Sequence, residues 1–484
     1  MLYDIIRIVF IFTLLVVSLG VIIFRILYID TAKEKNFFYI LLFIFLLSIW
    51  ILIILPDFLT LVIGWDGLGL TSFFLVAYYR HIRRLSAAII TIIMNRLGDR
   101  FILFGLAILW CKYLNFVLGI WFIIIICITK RAQIPFSAWL PAAIAAPTPI
   151  SALVHSSTLV TAGVFIIVRF YFILPYTVKN FTAIIGFFTT LLSSILACIE
   201  IDFKKVIALS TLRNLGLIFF RLRLDSGLCF YHLIVHAFFK AYLFILAGYF
   251  IYYRLHRQDI RYTIGLNRHF IIRIFFITNL LIARLPFLGG YYRKELIIHT
   301  INNNFKISLL FLITIGIIFF FTYFYSFRLI NGLLNPSNKI YLINYLSGEK
   351  NFLISLLVLI LIGVVVCSWC RKKVLLFHRI NGSLLVPTIA LTILLGRLFI
   401  RKNKYYFATT SIIYLKVWPK NFVGLNTSVS KIVASYEIRW RETFNMGRYI
   451  LIKVKLNPII SHLTPSAPLF LVILCRFFII LLII

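Results

Sequence analysis

The sequence predicts an all-α polytopic membrane protein with about fourteen transmembrane helices. Of its 484 residues, 62% are hydrophobic and only 13% are charged, which is too little polar surface to cover a soluble domain of this size. The apolar residues also form long runs without charge, such as 37–55 and 307–324. Because a helix needs roughly 20 apolar residues to cross a bilayer core, several of these runs are expected to be spans.

The spans follow one another with short connections, in which no separate soluble domain can fit. The first run begins near Ile5. It is too long for the apolar region of a secretory signal and lacks a small-residue cleavage site, so we interpret it as a span. Hydropathy places the spans near residues 5–28, 37–55, 57–79, 86–111, 117–150, 149–173, 181–199, 203–221, 226–253, 269–302, 305–334, 351–369, 383–400 and 466–484.

Two of these segments, 117–150 and 269–302, are interrupted in similar ways. Proline removes a backbone donor and glycine loosens a helix, so both segments should unwind near the middle of the membrane. Unwound backbone is tolerated at that depth only where protein or water surrounds it. Paired broken helices are typical of inverted-repeat transporters. The interrupting residues are Pro135, Pro141, Pro147 and Pro149 in the first segment and Pro286, Gly289 and Gly290 in the second.

The C-terminal region differs from the rest of the chain. Residues 401–465 are less apolar and rich in lysine and arginine. Part of this stretch, 429–454, is expected to form an amphipathic lateral helix along the membrane surface. A final span, 466–484, then closes the chain.

Charge and cysteine usage exclude two other classes of protein. The formal net charge is +35, but the basic residues are dispersed among the spans and do not form one hydrophilic face, so nucleic-acid binding is not expected. The seven cysteines are scattered. Cys367 and Cys370 form a CxxC pair without further ligands, so neither a metal site nor a disulfide framework is expected.

Charged residues inside the spans are the candidate functional residues, because each costs roughly 2.5–3.5 kcal/mol at the bilayer centre. Asp66 lies in an apolar span within GWDGLG, and Lys130 lies at the first helix break. A buried carboxylate stays charged only beside a cation, so we expect Asp66 to pair with Lys130. The alternatives are a loop aspartate at a re-entrant turn and a lysine that snorkels to the interface.

Histidines form two further candidates. His155 is followed by Ser156, Ser157 and Thr158, which with water can form a hydrogen-bonded proton wire; the alternative is a structural histidine. His232, His236 and Lys240 are spaced four residues apart and therefore share one helix face, as a proton relay requires. The alternative is an interhelical hydrogen-bonding stripe. A helical zinc motif is excluded because Leu233 stands where that motif has glutamate.

Three more ionisable residues lie near breaks or in apolar runs. Lys294 and Glu295 follow the second break, where an adjacent acid and base can end a proton path or anchor the chain at the interface. Asp99 is a further carboxylate in an apolar region and a further candidate for the proton path; the alternative is a simple pairing with Arg96 or Arg100.

Seven strings, in this order, resemble the chain 5 family of NADH:ubiquinone oxidoreductase (respiratory complex I). The likeness is close over residues 2–300, and the rest matches in layout. The run through HSST followed by HAFFKA is the most specific part, and it separates this family from the sister chains 2 and 4. The strings are GWDGLGLTSF at 64–73, MNRLGD at 94–99, WLPAAIAAPTPISALVHSSTLVTAG at 139–163, IDFKKVIALST at 201–211, HAFFKAYLF at 236–244, QDIR at 258–261 and PFLGGYYRKELI at 286–297.

The resemblance implies two inverted five-helix units, each with a broken helix, and a lateral helix. It divides the chain into N-terminal spans (1–56), an antiporter-like proton-translocation core (57–334) and a C-terminal region (335–484). The implied proton path consists of Asp66 paired with Lys130, then His155, then the central relay of His232, His236 and Lys240, and finally the exit group of Lys294 and Glu295.

The resemblance also implies a setting in the mitochondrial inner membrane. No cofactor is expected on this chain, because NADH, FMN, iron–sulfur clusters and ubiquinone would be used elsewhere in the complex. The implied partners are the membrane chains 4, 2 and 6, accessory subunits and lipids such as cardiolipin.

The sequence departs from the family at telling positions. Asp66 stands where many relatives have glutamate. The chain is expected to begin at the third span of the family, either because two spans have been lost or because the start is misplaced. Arginines replace small residues or lie mid-span without a partner, and methionine is rare while isoleucine abounds. We hypothesise that the sequence is a translation under the wrong mitochondrial genetic code, with some arginines standing for serine and some isoleucines for methionine. The alternative is that the arginines are real and are compensated by acids of partner subunits. The arginines concerned are Arg131, Arg213, Arg284, Arg293 and Arg476.

Two other functions remain as alternatives. One is a cation/proton antiporter subunit of the same superfamily, which shares the fold and the HSST and HAFFKA strings. The other is a passive structural scaffold, in which Lys240 would be dispensable for proton pumping.

Overall fold

The computed structural model describes mainly the first half of the chain. The second half of its first compact unit, Met1–Tyr414, is described only in short pieces, and the described residues do not extend into the second unit, Leu415–Ile484. The described ranges are 2–28, 35–55, 58–78, 82–110, 116–144, 146–223 and 225–253, with pieces at 258–259, 274–276, 278–279, 316–318, 320–322 and 324–329.

These residues form helices almost throughout. In chain order the helices are α1 (Leu2–Tyr28), α2 (Lys35–Ile54), α3 (Phe58–Ala77), α4 (Ile82–Trp110), α5 (Phe116–Lys130), α6 (Trp139–Ala143), α7 (Thr148–Ile150), α8 (Leu159–Arg169), α9 (Tyr176–Ile199), α10 (Phe203–Leu222) and α11 (Ser226–Tyr253). A π-helical segment, Ser151–Thr158, joins α7 to α8, and one 3₁₀ turn, Tyr171–Ile173, precedes α9.

Within the described residues, six helical stretches are long and apolar enough to cross a membrane. They correspond to the predicted spans at 5–28, 37–55, 57–79, 149–173, 181–199 and 226–253. Two more predicted spans, 86–111 and 203–221, are helical as α4 and α10 but carry more charge. The predicted second break, the lateral helix and the last three spans lie outside the described residues.

Burial divides the bundle into a centre and a periphery. Residues 148–168 are all buried and residues 228–251 nearly all, whereas the outer spans are only about half buried. The outer helices turn large apolar side chains outward, such as Ile8, Ile63 and Leu103, which suits a lipid environment. The titratable residues of the central helices are therefore enclosed by protein.

Small residues bring α9 and α10 into direct backbone contact. A Cβ built at Gly186 would lie 2.6 Å from the carbonyl oxygen of Gly216, so neither position tolerates a side chain without movement of a helix. Buried hydroxyls on α9 donate to carbonyls of their own helix, as Ser193 does to Thr189 at 2.6 Å. Close approach of small residues and satisfied hydroxyls are the means by which helices associate in membranes.

The predicted interruption of segment 117–150 is present and follows Lys130. Ala132 adopts a left-handed conformation (φ 53°). Its N–H donates to the carbonyl of Thr129 at 3.2 Å, and the N–H of Gln133 donates to the carbonyl of Ile128 at 3.1 Å. This pair of bonds is a Schellman cap, which satisfies carbonyls at a helix C-terminus. The cap ends α5 inside the bundle with its last carbonyls partly paired.

Candidate functional site

Lys130 is fully buried at the end of α5 and has three favourable contacts. Its ammonium nitrogen lies 3.6 Å from Oδ1 of Asp99 on α4. It donates a hydrogen bond of 2.6 Å to the backbone carbonyl of Trp65 on α3, and it lies 4.0 Å from the centroid of the Trp65 ring. A buried ammonium needs such compensation for the hydration that it has lost. The alternative in which Lys130 snorkels to the interface is therefore wrong.

The expected direct pairing of Asp66 with Lys130 is wrong, because the structure places Asp99 beside the lysine. The carboxylate of Asp66 instead lies 3.5 Å from Arg96 on α4, and Arg96 lies 4.0 Å from Asp99. Successive helix residues point about 100° apart, so α3 turns Trp65 towards α5 and Asp66 towards α4. The expected contact of Asp99 with Arg96 is present.

Four side chains thus form one row of alternating charge, Asp66–Arg96–Asp99–Lys130, which we call the charge row. Its inner end is enclosed by protein, since Lys130 is fully buried and the Asp99 side chain is 11% exposed. Its outer end lies at the surface of the described bundle, since the side chains of Asp66 and Arg96 are 38% and 35% exposed. The row therefore leads from the surface of the described bundle to the helix break.

Gly98 makes the inner ion pair possible. A Cβ at this position would overlap the hydroxyl oxygen of Thr129, so the present approach of α4 to α5, with Thr129 in this rotamer, requires glycine at residue 98. Gly98 and Thr129 are the chain neighbours of Asp99 and Lys130. The close approach of the two helices therefore sets the separation of the two charges.

His155 lies in the π-helical segment and is fully buried. Its ring is edge-on to that of Trp139, with centroids 6.3 Å apart. The neighbouring hydroxyls turn to their own backbone: Ser157 donates to the carbonyl of Leu153 at 3.0 Å and Thr158 to the same carbonyl at 2.7 Å. Their hydrogens are thus engaged, and each hydroxyl can contribute only its acceptor lone pairs to the predicted wire.

The predicted relay on α11 is buried in the centre of the bundle. His232 and His236 are fully buried, and Lys240 is 1% exposed. The ammonium of Lys240 donates a hydrogen bond to the hydroxyl of Ser210 on α10. Since nearly all of α11 is buried, burial alone does not separate a relay from an interhelical hydrogen-bonding stripe. The contact with Ser210 nevertheless fixes which neighbour Lys240 faces.

Lys204 is a buried cation to which the sequence analysis assigned no role. Its ammonium donates to the carbonyl of Ala146 in the unwound stretch between α6 and α7, and the residue is 2% exposed. Its neighbour Lys205 pairs with Asp202, and its side chain is 43% exposed. The sequence contained a sign that one of these lysines is buried, because two adjacent lysines at the start of a buried helix cannot both reach water.

Two of the unusual arginines are buried without an acid. Arg131 is fully buried, with its guanidinium 4.2 Å from the centroid of the Phe219 ring. Arg213 is fully buried and donates to the side-chain oxygen of Asn214 at 3.0 Å. No carboxylate of a described residue lies within 4.0 Å of either arginine.

Several predicted residues cannot be placed in this site. Lys294 and Glu295 lie outside the described residues, as do Arg284, Arg293 and Arg476. Among the residues that are described, no group of three or more His, Cys, Asp or Glu side chains is arranged to hold a metal ion.

Apolar helical spans, a broken helix and buried titratable side chains define the chain as a polytopic α-helical membrane protein. Residues 56–322 match the family described as NADH:quinone oxidoreductase/Mrp antiporter, transmembrane. The chain belongs to this family.

Its sequence relatives include several complex I subunits. The chain is 40% identical over 348 residues to NADH-ubiquinone oxidoreductase chain 5 of Lumbricus terrestris, a match that covers 67% of this chain and 59% of the relative. It is 38% identical over 405 residues to the protein of the same name from Locusta migratoria, covering 77% of this chain and 68% of the relative. The chain thus spans only about three fifths of the earthworm relative.

Two solved structures share the fold. The Mrp complex from Dietzia sp. has a TM-score of 0.69 at 21% identity, over 94% of this chain and 55% of that one. The membrane-bound sulfane sulfur reductase, an archaeal respiratory membrane complex, has a TM-score of 0.68 at 20% identity, over 81% of this chain and 83% of that one. At this identity the likeness concerns the fold alone, and it agrees with the expected antiporter-like architecture.

Proposed function

We propose that the chain translocates protons across the mitochondrial inner membrane as a membrane subunit of NADH:ubiquinone oxidoreductase. The observation that carries the proposal is the buried ion pair of Asp99 and Lys130 at the end of a broken helix. Charge buried in a membrane protein is costly and generally marks an ion or proton pathway. Membership of the family supports the same conclusion.

In this proposal, protons enter along the charge row and leave at the opposite end of the core. Asp66 and Arg96 form the partly exposed end, and Lys130 exchanges its contacts with Asp99 and the Trp65 carbonyl for water when it releases or takes up a proton. The path continues through His155 and then through Lys204, His232, His236 and Lys240, and it ends at Lys294 and Glu295.

Lys204 belongs to the proposed path because of its place at the break. Its ammonium binds the carbonyl of Ala146, which precedes Pro147 in the unwound stretch. Unwound backbone at membrane depth needs polar partners or water, so this cation and this carbonyl occupy a place that water can enter. Lys204 and Lys240 also lie on neighbouring helices, since Lys240 binds Ser210 of α10.

Electron transfer takes place on other subunits in this proposal. Those subunits carry FMN and the iron–sulfur clusters, and the reduction of ubiquinone by NADH drives this chain through coupled changes of charge and hydration. The proposed neighbours are chains 4, 2 and 6 and accessory subunits, with lipids such as cardiolipin around them. The large apolar side chains on the outer helices favour burial among such partners.

A cation/proton antiporter subunit is the second candidate, because the matching family includes the Mrp antiporters and an Mrp complex shares the fold. Purification of the native assembly distinguishes the two candidates. Co-purification with NADH-oxidising subunits supports the first, whereas sodium transport by an assembly without them supports the second.

Replacement of the buried lysines tests the proposal in the assembled complex, reconstituted into liposomes. We expect Lys130→Met, Lys204→Met and Lys240→Met each to reduce NADH-driven proton uptake at least about ten-fold. Methionine removes the titratable ammonium group and keeps an unbranched side chain of similar length. Reduction of a hydrophilic electron acceptor by NADH should persist and shows that electron input is intact; the amount of the chain in the purified complex is the control for assembly. Lys205→Met is the matched control, since this half-exposed lysine pairs with Asp202 at the surface.

The scaffold alternative predicts the opposite result. If Lys240→Met pumped protons at the rate of the unaltered complex, the relay assignment would be wrong. If all three substitutions left pumping unchanged, the chain would be a structural element of the complex and not a pump.

A further inference from the structure

Trp139 is the first residue of α6, immediately after the non-helical residues 131–138 that follow α5, and it is 1% exposed. Its indole N–H donates a hydrogen bond of 2.9 Å to the backbone carbonyl of Thr129. Its ring is also the one that lies edge-on to His155, at 6.3 Å between centroids and an interplanar angle of 61°. One side chain therefore contacts the end of α5 and the histidine of the following helix.

The carbonyl that Trp139 binds belongs to the peptide unit that also contains the backbone nitrogen of Lys130. This carbonyl lies in the last turn of α5, where carbonyls lack partners within the helix. It accepts the N–H of Ala132 at 3.2 Å as well as the indole N–H. The indole thus holds the orientation of the peptide from which the Lys130 side chain departs.

We propose that Trp139 is a positioning residue that keeps Lys130 and His155 in a fixed relation across the helix break. This inference rests on the proposed function, since it assigns Trp139 a role in proton transfer between those two groups. A change in the end of α5 moves the indole through its hydrogen bond, and the indole in turn moves the His155 ring that it contacts. Either titratable group therefore senses the arrangement of the other.

Substitution of the indole separates this role from simple filling of the core. Trp139→Phe keeps an aromatic ring beside His155 and removes the N–H donor to Thr129. Trp121→Phe is the matched control, because Trp121 lies on α5 but packs edge-on against Phe181, with centroids 5.0 Å apart. Both variants are made in the complete complex and reconstituted into liposomes, and the number of protons moved per electron pair is measured.

We expect Trp139→Phe to lower the ratio of protons to electrons at least two-fold, while Trp121→Phe leaves it unchanged. A residue that only fills space would lower the amount of assembled complex and reduce pumping and electron transfer together, without altering their ratio. Should the phenylalanine variant not assemble, Trp139→Met replaces it, because the flexible thioether adapts to irregular core gaps. The same fall in the ratio is then expected.

An unchanged ratio in an assembled Trp139 variant would overturn the inference. Lys130→Met measured alongside distinguishes this failure from a failure of the proposed function. Loss of pumping in Lys130→Met together with a normal ratio in the Trp139 variant refutes only the positioning role. Normal pumping in Lys130→Met refutes the proton path itself.

Discussion

Substituting Gly98 by alanine should weaken the ion pair at the helix break without touching either charged residue. A Cβ at position 98 would overlap the hydroxyl oxygen of Thr129. Two responses are possible. Either α4 and α5 part by roughly 1 Å to restore van der Waals contact, or the Thr129 side chain rotates and loses its hydrogen bond of 2.8 Å to the carbonyl of Ile126.

Both responses cost about the same free energy. With the charges of Asp99 and Lys130 at 3.6 Å, an effective dielectric constant of about 20 gives an attraction of about 4.6 kcal/mol, which falls to about 3.6 kcal/mol if they separate by a further ~1 Å. Loss of the threonine hydrogen bond also costs about 1 kcal/mol. A difference of about 1 kcal/mol reduces the population of the closed ion pair roughly five-fold.

Proton uptake by liposomes that contain the complex measures the effect, and a several-fold fall is expected for Gly98→Ala. The double variant Gly98→Ala, Thr129→Ala should recover, because the next atom that the new Cβ meets is Cβ of Thr129 at 3.5 Å, an ordinary contact. Gly316→Ala is the control, because a Cβ built at that helical glycine meets no atom of the described residues within 4 Å. Normal pumping in Gly98→Ala, or a double variant as impaired as the single one, would refute the spacing argument.

Two further predictions concern the residues that follow Lys130. Ala132→Gly should change the stability by less than about 1 kcal/mol, because relief of the left-handed conformation, about 1–2 kcal/mol, is offset by the loss of a fully buried methyl group and by the greater entropy of unfolded glycine. The midpoint of thermal inactivation of the complex should therefore hardly move, and a large fall would contradict the left-handed conformation of residue 132. The genetic-code hypothesis predicts serine at residue 131 of the native polypeptide. The structure agrees with this, because the buried Arg131 guanidinium has no carboxylate beside it among the described residues. Mass spectrometry of the native peptide that spans residue 131 tests the hypothesis, and arginine at that position would refute it.

The sequence predicted the break and the buried candidates better than it predicted their partners. Prolines following a lysine in an apolar run are a local signal, and they correctly located the end of α5 near Lys130. The partner of that lysine depends on how α3 and α4 are rotated about their axes, which no local pattern determines. Asp66 and Asp99 were both recognised as candidates, but only the packing of Gly98 against Thr129 brings Asp99 to the lysine.

Lys204 shows a second limit of the same kind. The string IDFKK contains two lysines, and the inward direction of Lys204 follows from the register of α10, whose N-terminal end lies beside the carbonyl of Ala146. The helical periodicity and the hydropathy of the sequence do not show which of the two lysines points inward, because both reduce the apolar character of the span equally. The π-helical segment was not predicted either, because the bond from the Thr158 hydroxyl to the carbonyl five residues before it, at Leu153, is seen only in the structure.

The order of charges in the charge row offers a physical reason why it can lie inside a membrane and still respond to protons. Asp66, Arg96, Asp99 and Lys130 alternate in sign, and with all four ionised they sum to zero. Arg96 and Asp99 each have an opposite charge on both sides. Lys130, at the end of the row, has its ion pair with Asp99 together with the carbonyl and the ring of Trp65.

Removing one proton from Lys130 leaves Asp99 with Arg96 alone and the row with a net negative charge. A negative row in a medium of low dielectric constant attracts the next proton strongly, and in the proposed path that proton arrives at the partly exposed end of the row, at Asp66. Neutrality keeps the resting row tolerable in the bilayer, and its loss on deprotonation supplies the drive for reloading.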